Sequence, residues 1–191
     1  MLDKNKIKLE YISNLISQCR KCPLYKTATN HVPGSGNPDS KIVFIGEAPG
    51  FFEDKKGLPF VGNSGKLLDK LLDDISLKRE DVFICNILKH RPPQNRDPLP
   101  EEIQVCTPFL KAQLEIISPK FIITLGRFAL DFFVKNVQIS RIHGQILPIK
   151  WQGIDLILIP VYHPSAGLRN GAMLSALKKD FKTIEQYIKK L

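Results

Sequence analysis

The side chains best suited to chemistry in this 191-residue chain fall at a few places. Cys19 and Cys22 form CRKC near the start. Cys85 and Cys106 lie in VFICNILKHRPPQNRDPLPEEIQVC, with His90 between them. Thiolates and imidazoles are the ligands of zinc and of iron–sulfur clusters, and two cysteines three apart at a helix end present both sulfurs on one side. Glu47, in GEAPG, follows an apolar run directly and precedes a tight turn, a costly place for a charge without a task. Glu53, in FFED, is a second carboxylate, for which a solvated loop acid is the alternative reading. Asn86 offers a donor and an acceptor side by side at the end of another apolar run, and His163 follows a third in YHPSAG.

These residues need elements to hold them. Lys4 to Cys19 has helical spacing, with Ile7, Tyr11 or Ile12, Leu15 and Ile16 on one side, and ends before Pro23. KIVFIG (Lys41 to Gly46), DVFICNIL and KFIITLG are β-rich runs that predict buried strands. NSGKLLDKLLDDI is helical, with Leu67, Leu68, Leu71, Leu72 and Ile75 at helical spacing. LPEEIQVCTPFLKAQLEII starts a helix after Pro100, with Glu101 and Glu102 in the first turn, where the macrodipole favours them. RFALDFFVK predicts a third such helix, GQILPIKWQGIDLILIPVYHPSAG a hairpin, and MLSALKKDFKTIEQYIKKL a closing helix with a basic face. Strands alternating with helices predict the α/β class: a three-layer α/β/α sandwich around a central, mainly parallel four-stranded sheet, as one domain over residues 1–191. Ligands of such sheets bind beyond the carboxyl ends of the strands. There the loops are GEAPG, NILKHRPPQNR and YHPSAGLRN, so the candidates converge on one edge.

The 28 Lys and Arg against 19 Asp and Glu give a net charge of +9, which favours nucleic acid as partner, because cationic surface releases counterions when it covers phosphates. A merely soluble basic protein is the alternative, so charge needs a site to go with it. No apolar stretch approaches the length needed to cross a bilayer as a helix, and no membrane partner is expected. MLDKNKIKLEYIS carries charges where a signal peptide is apolar, so the expected location is the cytoplasm, where thiols stay reduced and spaced cysteines turn toward metal.

CRKCPLY, VPGSGNPDSKIVFIGEAPGFFEDKKGLPFVGNSGKLLD, CNILKHRPPQNRDPLPEEIQVCTPFL, TLGRFAL and VYHPSAGL follow one another over most of the chain. In this the chain resembles the iron–sulfur-containing family 4 uracil-DNA glycosylases, and the joint occurrence of GEAPG, ED, PFVG, LLD and a later YHPSA is the specific part. The resemblance implies a monomeric repair enzyme that hydrolyses the N-glycosidic bond of uracil in single- or double-stranded DNA and leaves an abasic site. The departing base takes negative charge and the sugar gains oxocarbenium character, so a carboxylate belongs near one and donors near the other. Glu47 is the first choice for that carboxylate and Glu53 the second. His163 would donate to a uracil carbonyl oxygen, Asn86 would read O4 and N3–H, and Phe60 would stack on the flipped base. Main-chain groups around Ala48 and Gly50 would also contact uracil. Leu168 would wedge into the vacated duplex, with Arg169 on phosphate. Lys66, Lys89, Arg91 and Arg96 would form a phosphate-binding rim. No lysine is placed as an amine nucleophile, so a lyase step is not expected. HRPPQNRDPLPEE holds no second histidine of the kind that captures the abasic product covalently in one superfamily branch. His143, elsewhere, is read as a surface or phosphate contact.

The resemblance also implies a metal site fed by CRKC, by a cysteine in KCRPP and by one on the following helix. Cys106 fills the last position, but KHRPP puts His90 in the third. If Asn86 faces a pocket, side-chain alternation turns Cys85 to the opposite face, into the core. The expected ligands are therefore Cys19, Cys22, His90 and Cys106, around a [4Fe–4S] cluster, since imidazole binds iron in Rieske centres. A zinc site, or a three-cysteine cluster with His90 unbound, are the alternatives. A second functional class, a non-catalytic iron–sulfur nucleic-acid-binding or redox module on the same fold, would not need Glu47, Phe60, Asn86 and His163 together.

Overall fold

Apolar runs with no polar interruption make strands buried on both faces, and these form the centre of the molecule. The structure is a computed structural model that describes residues 4–189, so Lys190 and Leu191, the expected end of the closing helix, lie outside the described residues. In chain order come α1 (Lys4–Ser17), a 3-10 turn (Pro23–Lys26), β1 (Ser35–Gly36), β2 (Ile42–Gly46), α2 (Phe51–Lys56), α3 (Asn63–Asp73) and β3 (Phe83–Asn86). After them come α4 (Pro100–Ile117), β4 (Phe121–Leu125), α5 (Arg127–Phe133), α6 (Ile139–Ile142), β5 (Leu147–Trp151), β6 (Ile154–Val161), α7 (Pro164–Arg169) and α8 (Gly171–Ile188).

The strands form one six-stranded sheet in the order β1-β3-β2-β4-β6-β5. β3, β2, β4 and β6 run parallel, so the expected four strands are its centre. Two antiparallel edge strands extend it: β5 is the first arm of the expected hairpin, and β1 is two residues laid against β3. β1 is too short to show a period, which is why the sequence does not betray it. Along β2, Ile42 and Phe44 face α3 and α8, whereas Val43 and Ile45 face α4 and α5, so helices cover both faces in three layers.

α1 is an outer addition that lies against α4. The expected stripe is corrected there: Ile12 and Ile16 are buried, while Ile7, Tyr11 and Leu15 stay exposed. A helix resting on one neighbour buries a narrow i, i+4 line rather than a broad face. α4 begins with Pro100, and the Glu102 carboxylate accepts the Leu99 N–H (2.9 Å), closing the first turn. α2 and α7 fall in segments expected as loops, since six residues with charges among them carry no helical period. No described helix is long and apolar enough to cross a membrane.

Candidate active site

The carboxyl ends of β2, β3 and β6 open onto a cavity of about 370 Å³, whose wall includes Ala48, Gly50, Glu53, Phe60, Asn86 and His163. Asn86 is the last residue of β3 and 2% exposed. Alternation along β3 sends Cys85 into the core beneath α4 and Asn86 toward the cavity. A Cβ at Gly46 would lie 2.4 Å from Asn86 Oδ1 and 2.6 Å from Phe60 Cζ, so only glycine lets the amide and the ring meet there. The Asn86 Oδ1 is buried and accepts no hydrogen bond within the protein. An unmet buried acceptor costs about 1–3 kcal/mol, a deficit that a ligand N–H would remove.

Phe60 is buried yet has φ of 51°, a left-handed backbone that costs a bulky residue on the order of 1–3 kcal/mol. The surroundings impose it. Arg79 donates to the carbonyl oxygens of Pro59 (3.0 Å) and Phe60, and its other edge is paired with Asp69 at 2.5 Å. A Cβ at Gly65 would sit 1.8 Å from the Phe60 carbonyl oxygen, so the start of α3 must carry glycine to close over this loop. Arg79 and Asp69 were not anticipated, because a pair ten residues apart across a helix end has no local sequence signature.

His163 caps α7, and its ring lies 5.7 Å from that of Phe60. Its Nδ1 accepts the Ser165 N–H at 3.1 Å, with the Ser165 hydroxyl at 2.8 Å. Burial first, then the charge of Arg169, pushes its pKa down to about 4, against a smaller opposing pull from Glu53. The imidazole is therefore neutral near pH 7. With Nδ1 occupied as acceptor, that hydrogen-bond pattern assigns the proton to Nε2.

The two carboxylates differ in setting. Burial, then the charge of Asp97, raises Glu47 to about 7, with Arg127 opposing; Asp97 and Arg127 pair with each other. The Glu47 carbonyl accepts the Leu88 N–H (3.0 Å), which ties the end of β2 to the chain leaving β3. Glu53 is no free loop acid: its Oε1 accepts the N–H groups of Val61 and Gly62, both at 2.8 Å, and so caps the start of α3.

Of the basic residues, Lys66 and Arg169 are exposed, and Arg169 Nε donates to the Ser165 carbonyl at 3.3 Å. Leu168 is 51% exposed on α7. Arg91 Nε bonds Asn95 Oδ1 at 2.7 Å, and Arg96 makes a two-pronged pair with Glu102 at 2.6 and 2.9 Å. Lys89 is not a rim residue. It is fully buried, and its Nζ donates to Asn86 O (2.7 Å), Gln113 Oε1 (2.7 Å) and Pro33 O (3.3 Å). The side chain folds back under the end of β3, where three acceptors offset the burial of its ammonium. His143 is likewise not a free surface residue: its Nδ1 meets Asp180 Oδ2 at 2.9 Å, and its ring lies tilted at 37° against that of Tyr162, centroids 4.5 Å apart.

Cys19 and Cys22 are half-buried beyond the end of α1, and Cys106 is buried on α4. The Cys106 Sγ accepts the Lys89 N–H at 3.3 Å. Burial pushes this thiol up to about 11; Lys89 opposes, and Cys22 and Cys19 add smaller upward pushes, so the three sulfurs share one electrostatic neighbourhood. His90, next in chain to Lys89, is 8% exposed and lines a small polar hollow with Arg20, Tyr25 and His31. Among the described residues, no three His, Cys, Asp or Glu side chains converge tightly enough to hold a single metal ion. The donor set fits a metal cluster in chemistry: thiols that share their charge burden, one of them already receiving an N–H, are stabilised as thiolates by an adjacent cation.

Residues 33–191 match the family model of the uracil DNA glycosylase superfamily. The chain is 48% identical to the type-4 uracil-DNA glycosylase of Archaeoglobus fulgidus, over 92% of this chain and 91% of that protein. It is 47% identical to the type-4 uracil-DNA glycosylase of Thermotoga maritima, over 95% of each. The type-4 uracil-DNA glycosylase of Sulfurisphaera tokodaii is 43% identical, over 93% of this chain and 84% of that protein. A family model matching most of the chain, and relatives that align along nearly their whole length, place this chain in the uracil DNA glycosylase superfamily, among its type-4 members.

Proposed function

We propose that this protein is a monofunctional uracil-DNA glycosylase. The bond between N1 of uracil and C1′ of deoxyribose breaks, its electron pair leaves with the base, and water adds to C1′ to give free uracil and an abasic site. The observation that carries the reading is the buried Asn86 Oδ1 without a partner at the wall of a cavity that also holds Phe60 and a neutral His163. Oδ1 accepts the uracil N3–H and the amide nitrogen donates to O4. Cytosine offers an acceptor and a donor at those two positions, which opposes both groups.

His163 donates from Nε2 to a uracil carbonyl oxygen as negative charge builds there. A neutral donor is suited to this, since it need not surrender its proton. Phe60 stacks on the extracted base, and main-chain groups of Ala48 and Gly50 border it. Glu47, ionised, holds the water and stabilises the cationic sugar; Glu53 keeps the Phe60 loop and α3 in register. Leu168 fills the duplex gap, and Lys66, Arg91, Arg96 and Arg169 border the DNA. Arg96 does so as a brace on Glu102 rather than as a free charge.

Cys19, Cys22, Cys106 and His90 would hold a [4Fe–4S] cluster, which when bound ties the end of α1, the loop after β3 and the start of α4 together. Anaerobically purified protein should be brown and contain iron; a colourless protein containing zinc overturns the cluster. His90→Cys should retain it and Cys85→Ala should leave it intact. The same reading takes the protein to act as a monomer and a single domain, on single- or double-stranded DNA. The deciding experiment incubates metal-loaded protein with a labelled oligonucleotide bearing one uracil, followed by alkali. Strand scission at uracil alone is expected, and its absence moves the protein to the class of non-catalytic binding modules.

A further inference from the structure

Two phenylalanines stand exposed at the mouth of the cavity. Phe51 and Phe52 open α2, are 43% and 52% exposed, and both border the cavity. They are not what anchors the helix. Asp54, 3% exposed, accepts the N–H groups of Thr29 (2.9 Å) and Asn30 (3.2 Å) and so pins α2 to the chain after the 3-10 turn. Leaving an aromatic ring half in water forgoes a good part of the roughly 1.5–3 kcal/mol its burial would give.

The geometry of the pair is specific. The rings meet edge to face at 5.4 Å and 81°. Over Phe51 stand two cations, the Lys55 ammonium 4.6 Å and the Arg91 guanidinium 5.2 Å from the ring centre. Among the described residues no cation stands over Phe52. Its Cδ2 would lie 3.4 Å from a Cβ at Gly62, so the ring sits against the loop that carries Phe60. A half-exposed aromatic ring in edge-to-face contact with a second ring, with cations close by, is an arrangement that suits unpaired nucleotides: a base stacks on the ring and its phosphates meet the charges.

We propose that Phe52 is a stacking platform for the unpaired nucleobase next to the one in the cavity, with Phe51 bracing it in a T-shaped contact and Lys55 and Arg91 meeting the intervening phosphate. The inference rests on reading the cavity as a uracil pocket. The occupant is a base of the same DNA strand, because the platform adjoins the cavity mouth and its flanking charges are cationic. In duplex DNA that neighbour is already stacked in the helix, so the platform favours single-stranded substrate.

The test pairs a change in the protein with a change in the DNA. Phe52→Ala should raise KM for a single-stranded uracil oligonucleotide about tenfold more than for the matching duplex, within the range expected for one base–aromatic stack, and leave kcat on the single strand within twofold. Phe52→Trp should restore KM, and its emission should be quenched by the single strand. With wild-type protein, replacing the nucleotide on one side of uracil by an abasic analogue should reproduce the loss, and Phe52→Ala should then lose nothing further. Equal losses on both substrates, or losses that multiply between variant and abasic analogue, overturn the platform. An unchanged KM on both also overturns it and leaves the patch to a protein partner. If the wild type excises uracil from neither oligonucleotide, the reading of the cavity fails instead.

Discussion

At the scale of single residues, charge state decides what the site can do. Glu47, held near 7, is protonated in acid, so a water-holding carboxylate should give a kcat/KM that falls about tenfold per pH unit below about 7. His163, held near 4, is already neutral across that range and adds no second limb above about pH 5. Asp97 raises Glu47, so Asp97→Asn should move the acid limb to lower pH by a few tenths of a unit, and Glu47→Gln should abolish it with most of the activity. A pH–rate profile unchanged in Asp97→Asn argues against Glu47 as the titrating group. Lys89 belongs to the same scale. Lys89→Met keeps the length but leaves Asn86 O and Gln113 Oε1 without their donor, which should cost about 3 kcal/mol and lower Tm by roughly 6–12 °C in a thermal melt. Asn86 and Cys85 were legible in the sequence because a strand alternates. Lys89 was not, because a lysine after a strand is exposed far more often than it is turned back beneath it.

At the scale of elements, the strands and long helices follow from apolar period and terminal signals, as Pro100, Glu101 and Glu102 do for α4. The pieces that finish the site carry no such period. α2 and α7 are six residues each, and β1 is two. Their positions come from tertiary partners: Asp54 for α2, the His163 cap for α7, and the β3 edge for β1. The Phe60 loop is shaped in the same way, by Arg79 spanning from Asp69 to the carbonyls of Pro59 and Phe60. Arg79→Ala should release Phe60 from its left-handed backbone, so KM for a uracil oligonucleotide should rise about tenfold with a smaller change in kcat. Steady-state kinetics on single-stranded substrate measure this. An unchanged KM means that Gly65 and Glu53 suffice to hold the ring.

For the molecule as a whole, the sheet and its two helical layers form the core, whereas α1 is attached from outside, against α4. α1 buries two side chains, Ile12 and Ile16, worth at most about 3–6 kcal/mol together before the entropy of ordering fourteen residues is counted. That balance leaves the helix weakly held unless something fixes its far end. Cys19 and Cys22 stand at that end, facing the same electrostatic neighbourhood as Cys106 on α4, so the proposed cluster would act as the missing fastening. Chelation or oxidative loss of the metal should therefore be felt unevenly. Amide hydrogen exchange in α1 and in the loop from Lys89 to Arg96 should accelerate at least tenfold, whereas β2, β4 and α8 keep their protection. Because that loop includes Arg91 and begins three residues after Asn86, affinity for uracil-containing DNA should fall in parallel, measured by fluorescence anisotropy at fixed salt. Uniform acceleration across sheet and helices would mean instead that the metal supports the global fold, and α1 would no longer count as an appended element.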